Sequence, residues 1–462
     1  MIQIFRVFIP SSVLGLLLSE IALILGLYLL PAWIIKAEEF ELYLLYEDGL
    51  VRILAVSGSV LAGLYFTDLY DQIRVTRRTI LVQQICLVMG VAFLVQGALA
   101  YLNADWRLPR DIMLAGSAGC LFLLPAWRML YNRLVLRAFG AERILFAGTS
   151  PTIREVVARI NERPELGMKP LGFLAGDEDA VEDPPACPPL GTVARIREVT
   201  AATRPDRVVI GLAERRQRLP VYDLLDLSLG GLRIEEPAAL YEIAFSRVCL
   251  RELRPSQLIF GGWGPRKRSL ALQGVVAFFA ALVGLILVTP LLLAAALAVK
   301  LSSRGPVLFR QTRVGKNGRH FTVYKFRSMY VDAEARTGAV WAQKDDPRVT
   351  PLGRWLRRLR IDELPQLVNV LKGDMALVGP RPERPEFVEL LAARIPFYNQ
   401  RHCVRPGITG WAQINYKYGN TLEDTVTKLE YDLYYIKNLS LALDLYIMFH
   451  TVKIMLLTRG AH

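Results

Sequence analysis

The feature that most restricts the fold of this chain is a series of apolar segments near its N-terminus. A helix needs about 20 apolar residues to cross a hydrocarbon core of about 30 Å. Four segments approach or exceed that length, and they span residues 13–35, 51–65, 80–101 and 112–127. The chain of 462 residues is 53% hydrophobic, which is more than a soluble protein usually carries. The sequence therefore predicts a bundle of four membrane-spanning helices within residues 1–140.

Charges in the connections predict how this bundle is oriented. Positive side chains collect between the second and third segments and after the fourth, whereas the first connection is acidic. The positive residues are Arg74, Arg77, Arg78, Arg128, Arg133 and Arg137. Because cytoplasmic loops are enriched in Lys and Arg, we expect both ends of the bundle in the cytoplasm. The first segment has no evident cleavage site and is interpreted as an anchor.

One carboxylate, Glu20, lies inside the first apolar segment. An ionisable group in lipid marks either a functional site or a side chain that faces other helices or reaches the interface. The second interpretation is favoured.

The net charge of +13 suits anionic lipid, phosphorylated substrates or nucleic acid. In the C-terminal part, positive residues alternate with turns and carboxylates directly after an apolar segment, which favours a phosphate site at a membrane surface over a nucleic-acid partner. The five cysteines are scattered, and the four histidines lack ligand spacing. Neither a zinc site nor a disulfide framework is predicted.

The pattern changes near residue 142 to that of alternating strands and helices. Buried-strand patterns occupy residues 144–147, 171–175, 207–211 and 231–235, and a helix pattern follows the first strand. This order predicts a small doubly wound α/β domain over residues 141–262. The turn Gly148-Thr149-Ser150-Pro151 lacks the GxGxxG spacing that admits a pyrophosphate, so a structural or regulatory role is favoured over a nucleotide site.

A fifth apolar segment, residues 270–299, contains Thr289-Pro290 and has positive residues on both sides. Proline removes a helical hydrogen bond and bends the helix. We therefore predict a re-entrant membrane helix over about residues 269–301 that turns at Thr289 and Pro290 and leaves by the face it entered. The alternative is a fifth tilted span. The apolar tail, residues 439–457, fits an interfacial helix or a core helix equally well.

The run Arg360-Ile361-Asp362-Glu363-Leu364-Pro365 places two carboxylates at a predicted helix N-terminus, because Pro365 suits a first helical turn. Arg357 and its basic neighbours add positive charge there, which favours an ionised Asp362 and a bound phosphate. Taken alone, the run is also compatible with a helix cap beside a solvated basic face.

Several motifs follow in a fixed order: YKFRSM at 324–329, RIDELPQL at 360–367, LKGDMALVGPRPE at 371–383 and RPGITGWAQIN at 405–415. With the preceding proline-containing helix, this order resembles the bacterial polyprenyl-phosphate hexose-1-phosphate transferases, also called monotopic phosphoglycosyl transferases. The resemblance covers about Lys267 to the C-terminus, so it implies a mostly α catalytic domain at residues 263–462. The four-helix bundle and the Rossmann-like α/β domain resemble the large form of that family.

The resemblance implies an enzyme that moves a hexose 1-phosphate from a UDP-hexose to undecaprenyl phosphate, releases UMP and passes through a covalent aspartyl-phosphosugar intermediate. Such enzymes begin the membrane steps of exopolysaccharide, capsule or O-antigen synthesis. We therefore expect a multi-pass protein of the bacterial inner membrane with its catalytic domain on the cytoplasmic face of the lipid bilayer. We also expect a homodimer and no nucleic-acid partner.

The resemblance also implies roles for particular residues. Asp362 is the expected nucleophile, and Glu363 is expected to hold Mg²⁺ or to assist proton transfer. Residues expected to bind phosphate or substrate are Lys325, Arg327, Arg357, Arg381, Lys417 and Asp432. Asp432 fits equally well as a structural partner of one of the cations. Lys417 stands where many relatives have arginine, so it keeps the charge but lacks the bidentate fork.

Two other classes of protein are alternatives. A membrane sensor or scaffold whose α/β domain binds a nucleotide would show no turnover. A sugar-nucleotide epimerase or dehydratase would need a Tyr-x-x-x-Lys pair near an NAD site, and residues 142–265 contain no such signal.

Overall fold

The computed structural model describes residues 2–4, 7–9, 11–67, 69–70, 78–138, 141–176, 184–212, 219–331, 346–416, 419 and 421–456. The chain divides into two compact units. One comprises Met1–Gln3 and Phe8–Pro237, and the other comprises Ile4–Val7 and Ala238–His462. The domain limits expected at residues 140 and 262 stay predictions.

The chain begins with two short strands and five helices. Strands β1 and β2 span Ile2–Ile4 and Val7–Ile9, and helices α1 to α5 span Ser11–Ile35, Phe40–Leu45, Gly49–Phe66, Arg78–Leu102 and Arg110–Ala138. Helices α1, α3, α4 and α5 are each long and apolar enough to cross a membrane. This confirms the four predicted membrane helices. Arg74 and Arg77 lie outside the described residues.

Glu20 is fully buried within the helix bundle, where its carboxylate is paired. Arg128 donates from Nε to Oε1 at 2.6 Å and from Nη2 to Oε2 at 2.9 Å, and the Tyr70 hydroxyl donates to Oε2 at 2.7 Å. The favoured interpretation, a side chain that faces other helices, is confirmed. The expectation that Arg128 follows the fourth helix is wrong, because α5 continues to Ala138. Arg128 lies inside the bundle, where the Glu20 carboxylate neutralises its charge.

A five-stranded parallel sheet completes the N-terminal unit. Its strands are β3 (Glu142–Ala147), β4 (Met168–Ala175), β5 (Pro189–Thr192), β6 (Arg207–Ile210) and β7 (Arg233–Glu235), in the order β5-β4-β3-β6-β7, and its helices are α6 (Pro151–Glu162), α7 (Ile196–Thr203) and α8 (Val221–Leu229). The predicted α/β class and four predicted strands are confirmed. The sequence analysis missed β5, since Pro-Leu-Gly-Thr offers no apolar run.

The crevice at the C-terminal ends of β3 and β6 is the usual ligand site of such sheets. Gly148 there has a φ of 105°, and a Cβ on it would lie 2.4 Å from the Gly211 carbonyl oxygen. The Ser150 hydroxyl accepts a hydrogen bond from the Ile153 N–H at 3.3 Å, so the chain caps α6 with its own side chain. This geometry is in keeping with the absence of a GxGxxG turn.

The C-terminal unit is mostly helical. Its helices are α9 (Pro237–Phe245), α10 (Pro255–Phe260), α11 (Lys267–Ser302), α12 (Pro351–Arg358), α13 (Leu367–Lys372), α14 (Pro385–Arg394), α15 (Trp411–Asn415), α16 (Leu422–Asn438) and α17 (Leu441–Leu456), and its strands are β8 (Leu308–Val314), β9 (His320–Phe326), β10 (Ala376–Val378) and β11 (Gly407–Thr409). β8 and β9 form an antiparallel pair, whereas β10 and β11 are parallel. Leu443 and Ile447 are fully buried, so α17 is a core helix on that face.

Helix α11 is the fifth helix long and apolar enough for a membrane, and it continues through Pro290. Its N-terminal half packs through Ala277 and Ala281 into a core with β9 and α13. Its C-terminal half packs through Ala295 and Val299 into a second core with Phe326 of β9 and with α12. The exposed side carries large apolar residues: Leu272, Val275, Phe279, Val283, Ile286, Leu287, Leu293 and Leu297. One side of α11 is therefore covered by its own unit in two stretches, residues 273–281 and 295–299.

Residues 238–262 pack against α16 and α15 within the C-terminal unit. The buried Glu430 carboxylate accepts hydrogen bonds from the Leu250 N–H at 3.0 Å and the Tyr241 hydroxyl at 3.2 Å. The Trp411 indole N–H donates to the Ser246 carbonyl oxygen at 2.8 Å. This segment therefore holds the helix that carries the WAQIN motif.

Candidate active site

The Asp362–Glu363 pair lies in a short 3-10 helix, Ile361–Gln366, between α12 and α13. Arg360 precedes it with a φ of 55°, a left-handed conformation that is uncommon for a residue other than glycine. The pair occupies the first turn of the 3-10 helix. The predicted helix N-terminus is therefore present, although its first two turns are wound more tightly than an α-helix.

Glu363 is at the centre of a cluster of cations. Its Oε1 atom accepts hydrogen bonds from Lys325 Nζ at 2.8 Å and from Arg381 Nη2 at 2.9 Å, and Arg360 Nη1 lies 3.7 Å from Oε2. Burial raises the pKa of Glu363, but Arg381 and Lys325 outweigh it and hold that pKa well below the usual range. Glu363 is therefore ionised at neutral pH.

Asp362 differs sharply from its neighbour. It is 8% exposed, and its carboxylate has no hydrogen-bond partner in the described part of the chain. Burial, followed by the charge of Glu363, raises its pKa to about 6, while Lys325, Arg357 and Arg381 oppose that rise. Asp362 is consequently ionised at neutral pH but carries a free, poorly solvated carboxylate beside positive charge. Such a group is well suited to act as a nucleophile.

Asn369 positions the strand that carries Lys325. The side chain is fully buried, its Nδ2 donates to the Thr322 carbonyl oxygen at 2.7 Å, and its Oδ1 accepts from the Tyr324 N–H at 3.2 Å. These two bonds tie α13 to β9 and so set the distance between Lys325 and Glu363. The sequence analysis did not identify this residue.

The loop that carries Arg381 is held from two sides. Arg401 Nη2 donates to the Arg381 carbonyl oxygen at 3.0 Å and to Asp432 Oδ2 at 2.7 Å. Arg313 Nη1 donates to the Pro382 carbonyl oxygen at 2.9 Å. Asp432 thus pairs with Arg401, a residue that the sequence analysis missed, and its expected role in binding substrate stays a prediction. A buried arginine outside the quoted motifs gives no local signal.

The parallel pairing of β10 with β11 brings the GPRPE and RPGITG motifs together. The Gly379 N–H donates to the Thr409 carbonyl oxygen at 2.9 Å, and the Gly407 N–H donates to the Pro380 carbonyl oxygen at 3.0 Å. A Cβ on Gly407 would lie 2.1 Å from the Gly379 nitrogen, so only glycine fits this close backbone approach.

The remaining predicted site residues lie at different distances from the pair. Arg357, in the last turn of α12, is close enough to lower the Asp362 pKa. Arg327 instead caps α11, because its Nη2 donates to the Ser303 carbonyl oxygen at 2.7 Å and its Nη1 to that of Arg304 at 3.0 Å. Lys417 lies outside the described residues.

A bound Mg²⁺ was also expected at Glu363. Among the described residues, no three His, Cys, Asp or Glu side chains are grouped so as to hold a metal ion. Oε1 of Glu363 is engaged by cations, which leaves Oε2 and the Asp362 carboxylate as possible ligands. That set fits Mg²⁺ only when phosphate oxygens of a substrate supply further ligands, as is common for this ion.

Two family descriptions match the chain. The bacterial sugar transferase family matches residues 268–458, which include every residue of the site described above. A CoA-binding domain family matches residues 65–219, which include most of the parallel sheet.

Curated relatives match the chain as well. The chain is 37% identical over 393 residues to the UDP-N-acetylgalactosamine-undecaprenyl-phosphate N-acetylgalactosaminephosphotransferase of Aeromonas hydrophila, which covers 80% of this chain and 86% of the relative. It is 34% identical over 337 residues to the UDP-glucose:undecaprenyl-phosphate glucose-1-phosphate transferase of Xanthomonas campestris pv. campestris. That alignment covers 69% of this chain and 67% of the relative. The exopolysaccharide production protein PSS of Rhizobium leguminosarum bv. phaseoli is 44% identical over 196 residues, 41% of this chain and 98% of that protein.

Proposed function

Since this chain belongs to the large form of the bacterial polyprenyl-phosphate sugar-phosphate transferases, we propose that it transfers a hexose 1-phosphate from a UDP-hexose to undecaprenyl phosphate and releases UMP. The names of the Aeromonas and Xanthomonas relatives state these donor and acceptor classes but differ in the sugar. The observation that carries the proposal is the Asp362 carboxylate, which has no hydrogen-bond partner among the described residues and is buried beside the cations that hold Glu363.

In the proposed first step, an Asp362 carboxylate oxygen attacks the donor phosphorus that carries the sugar. The bond from that phosphorus to the bridging oxygen breaks, and the electron pair leaves with UMP. In the second step, a phosphate oxygen of undecaprenyl phosphate attacks the same phosphorus and releases the Asp362 carboxylate. The products are UMP and a sugar attached to the lipid through a diphosphate.

The cations suit this chemistry because phosphoryl transfer depends mainly on placing and neutralising charged oxygens. Lys325, Arg381 and Arg357 surround Asp362 closely enough to influence its ionisation. Glu363 holds Lys325 and Arg381 in position and, being ionised, is better suited to this task and to Mg²⁺ than to proton transfer. Mg²⁺ would supply additional charge neutralisation on the diphosphate.

Two features support a re-entrant course for α11. Both halves of the helix pack on the same unit and on the same side, and that unit carries a highly charged site. A perpendicular span would draw that site into the hydrocarbon core, which is strongly unfavourable for charged groups. A helix that enters and leaves by one face would leave Asp362 at the membrane surface, and we propose the cytoplasmic face of the inner membrane, where UDP-sugars occur.

We further propose that the reaction begins the membrane steps of exopolysaccharide, capsule or O-antigen synthesis. The name of the matching Rhizobium protein supports the first of these. The homodimer expected from the family resemblance stays a prediction.

The direct test uses the full-length protein in detergent with Mg²⁺, undecaprenyl phosphate and a panel of UDP-hexoses, with UMP as the readout. Omission of the lipid should leave a protein whose mass is increased by one hexose phosphate, attached at Asp362. Asp362→Asn should abolish both signals, because an amide is a far poorer nucleophile of nearly the same shape.

The matched control is Asp226→Asn, which alters an exposed carboxylate of α8 that pairs with Arg197. Its UMP release should equal that of the native protein. If the native protein released no UMP with any common UDP-hexose, the proposed reaction would be wrong. If Asp362→Asn kept a normal rate, the covalent mechanism would be wrong.

A further inference from the structure

Gln366 is a buried amide at the end of the 3-10 helix that carries Asp362 and Glu363. The side chain is 4% exposed, and its Nε2 atom is buried without a hydrogen-bond partner in the part of the chain that the structure describes. Buried amide groups are hydrogen-bonded in the great majority of native structures, so an orphan donor requires an explanation.

The winding of the helix places Gln366 on the same face as Glu363. In a 3-10 helix the side chains of residues three apart lie on the same face. Gln366 follows Glu363 by three residues, so its amide lies on the face that also presents Glu363 to Lys325 and Arg381.

The neighbouring packing shows where this face lies relative to the membrane helix. Ile361 packs into the core formed by the C-terminal half of α11, and Leu367 packs into the core formed by its N-terminal half. The 3-10 helix therefore lies alongside the middle of α11, and Gln366 directly precedes the residue that contacts the N-terminal half.

A second buried amide provides the comparison. Asn369, three residues further on, is fully buried and uses both ends of its side chain, with Thr322 and Tyr324 as partners. That amide has a purely structural set of contacts. Gln366 is also buried, yet its Nε2 has no hydrogen-bond partner among the described residues, so its packing alone gives no reason for a polar side chain.

We propose that Gln366 is a further substrate-binding residue, whose side-chain N–H donates a hydrogen bond to an oxygen of the phosphoryl group bound beside Asp362. This inference rests on the proposed function. The ligand is a phosphate oxygen, from either the sugar nucleotide or the lipid phosphate. A neutral donor adds stabilisation of developing charge while leaving the ion pairs of Glu363 intact.

The test compares Gln366→Met with Asn369→Leu in the full-length protein, because each replaces a buried amide by an apolar side chain of similar size. Gln366→Met should leave the unfolding temperature unchanged or raise it, since an orphan polar group is removed. Its kcat/KM should fall about 100-fold, the usual effect of removing one preorganised donor. Asn369→Leu should lower the unfolding temperature and the activity together.

Two further measurements locate the phosphate. If adduct formation without lipid is slow in Gln366→Met, the donor phosphate is the partner; if the adduct forms normally and only transfer to undecaprenyl phosphate is slow, the lipid phosphate is the partner. The rise in unfolding temperature on addition of UDP-hexose, and separately of undecaprenyl phosphate, is recorded for both proteins, so the inference is tested even without turnover. Native-like kinetics and ligand responses in Gln366→Met would overturn the inference. So would a fall in both unfolding temperature and activity like that of Asn369→Leu. If the native protein released no UMP, that result would count only against the proposed reaction.

Discussion

The two adjacent carboxylates should respond in opposite ways to removal of their charge. The pKa of Asp362 is raised from 3.8 to about 6 by burial and by Glu363. Its ionised form is therefore less stable in the folded than in the unfolded protein, and a shift of about two units corresponds to about 3 kcal/mol. Because this pKa is raised, the penalty is absent below about pH 4 and fully present above about pH 6. Asp362→Asn should thus stabilise the protein at neutral pH.

Glu363→Gln should do the reverse. Lys325 and Arg381 lower the pKa of Glu363, so its charge stabilises the folded state above the unfolded pKa and the stabilisation is lost only in acid. The variant removes the carboxylate charge that pairs with Lys325 and Arg381, and breaking a buried ion pair typically costs about 3 kcal/mol or more. Both variants should be inactive, yet their stabilities should move apart.

Thermal unfolding in detergent, followed by intrinsic fluorescence between about pH 5 and pH 8, measures these differences. For a unit of this size, 3 kcal/mol corresponds to a rise of about 5 to 10 °C for Asp362→Asn at the upper end of the range. The rise should shrink by about half towards pH 5, where native Asp362 begins to be protonated. If Asp362→Asn instead lowered the unfolding temperature as much as Glu363→Gln, Asp362 would be a structural cap, and the electrostatic basis for its role as nucleophile would be lost.

Three other predictions concern the site and its supports. The rate of adduct formation from UDP-hexose without lipid should fall about tenfold per pH unit below about pH 6, as Asp362 is protonated, and a flat profile down to pH 5 would contradict the assigned pKa. Arg401→Lys loses the forked contact with Asp432 and the bond to the Arg381 carbonyl oxygen, so kcat should fall about tenfold with a modest loss of unfolding temperature, both checked against the native protein. A shortened chain that starts at residue 238 should unfold at a higher temperature than one that starts at residue 263. The shorter of the two lacks Leu250 and Tyr241, which donate hydrogen bonds to the buried Glu430 carboxylate. Equal unfolding temperatures would show that residues 238–262 do not stabilise the unit.

The membrane helices and most of the parallel strands were predictable because their signals are local. An apolar run that matches the bilayer thickness, or a short buried strand before a Gly-rich turn, needs no knowledge of distant residues. Strand β5 lacks such a signal, since Pro189 and Gly191 interrupt its four residues. It is ordered by pairing with β4, and that pairing is a property of the folded sheet.

The site was predictable only in part, because several of its contacts join distant parts of the chain. Lys325 and Arg327 belong to one motif and would share a face if β9 continued, but β9 ends at Phe326 and the two side chains part. Lys325 meets Glu363, whereas Arg327 caps α11. The pairings of Arg128 with Glu20 and of Arg401 with Asp432 join residues 108 and 31 positions apart, and nothing in either local sequence indicates the partner.

The membrane helix is connected to each part of the charged site through a different contact. At its N-terminal end, Gln273 donates to Tyr435 at 2.7 Å and to the Val378 carbonyl oxygen at 3.3 Å, three residues before Arg381.

α11 packs against Ile361 through its C-terminal half and against Leu367 through its N-terminal half, and these two residues flank the Asp362–Glu363 pair. At its C-terminal end, Arg327 caps it two residues after Lys325. Any change in the course of α11 near Pro290 would therefore displace the nucleophile relative to at least one of its cations. Because phosphoryl transfer depends on such placement, the helix that is proposed to hold the unit at the bilayer is also the element that sets the geometry of its chemistry.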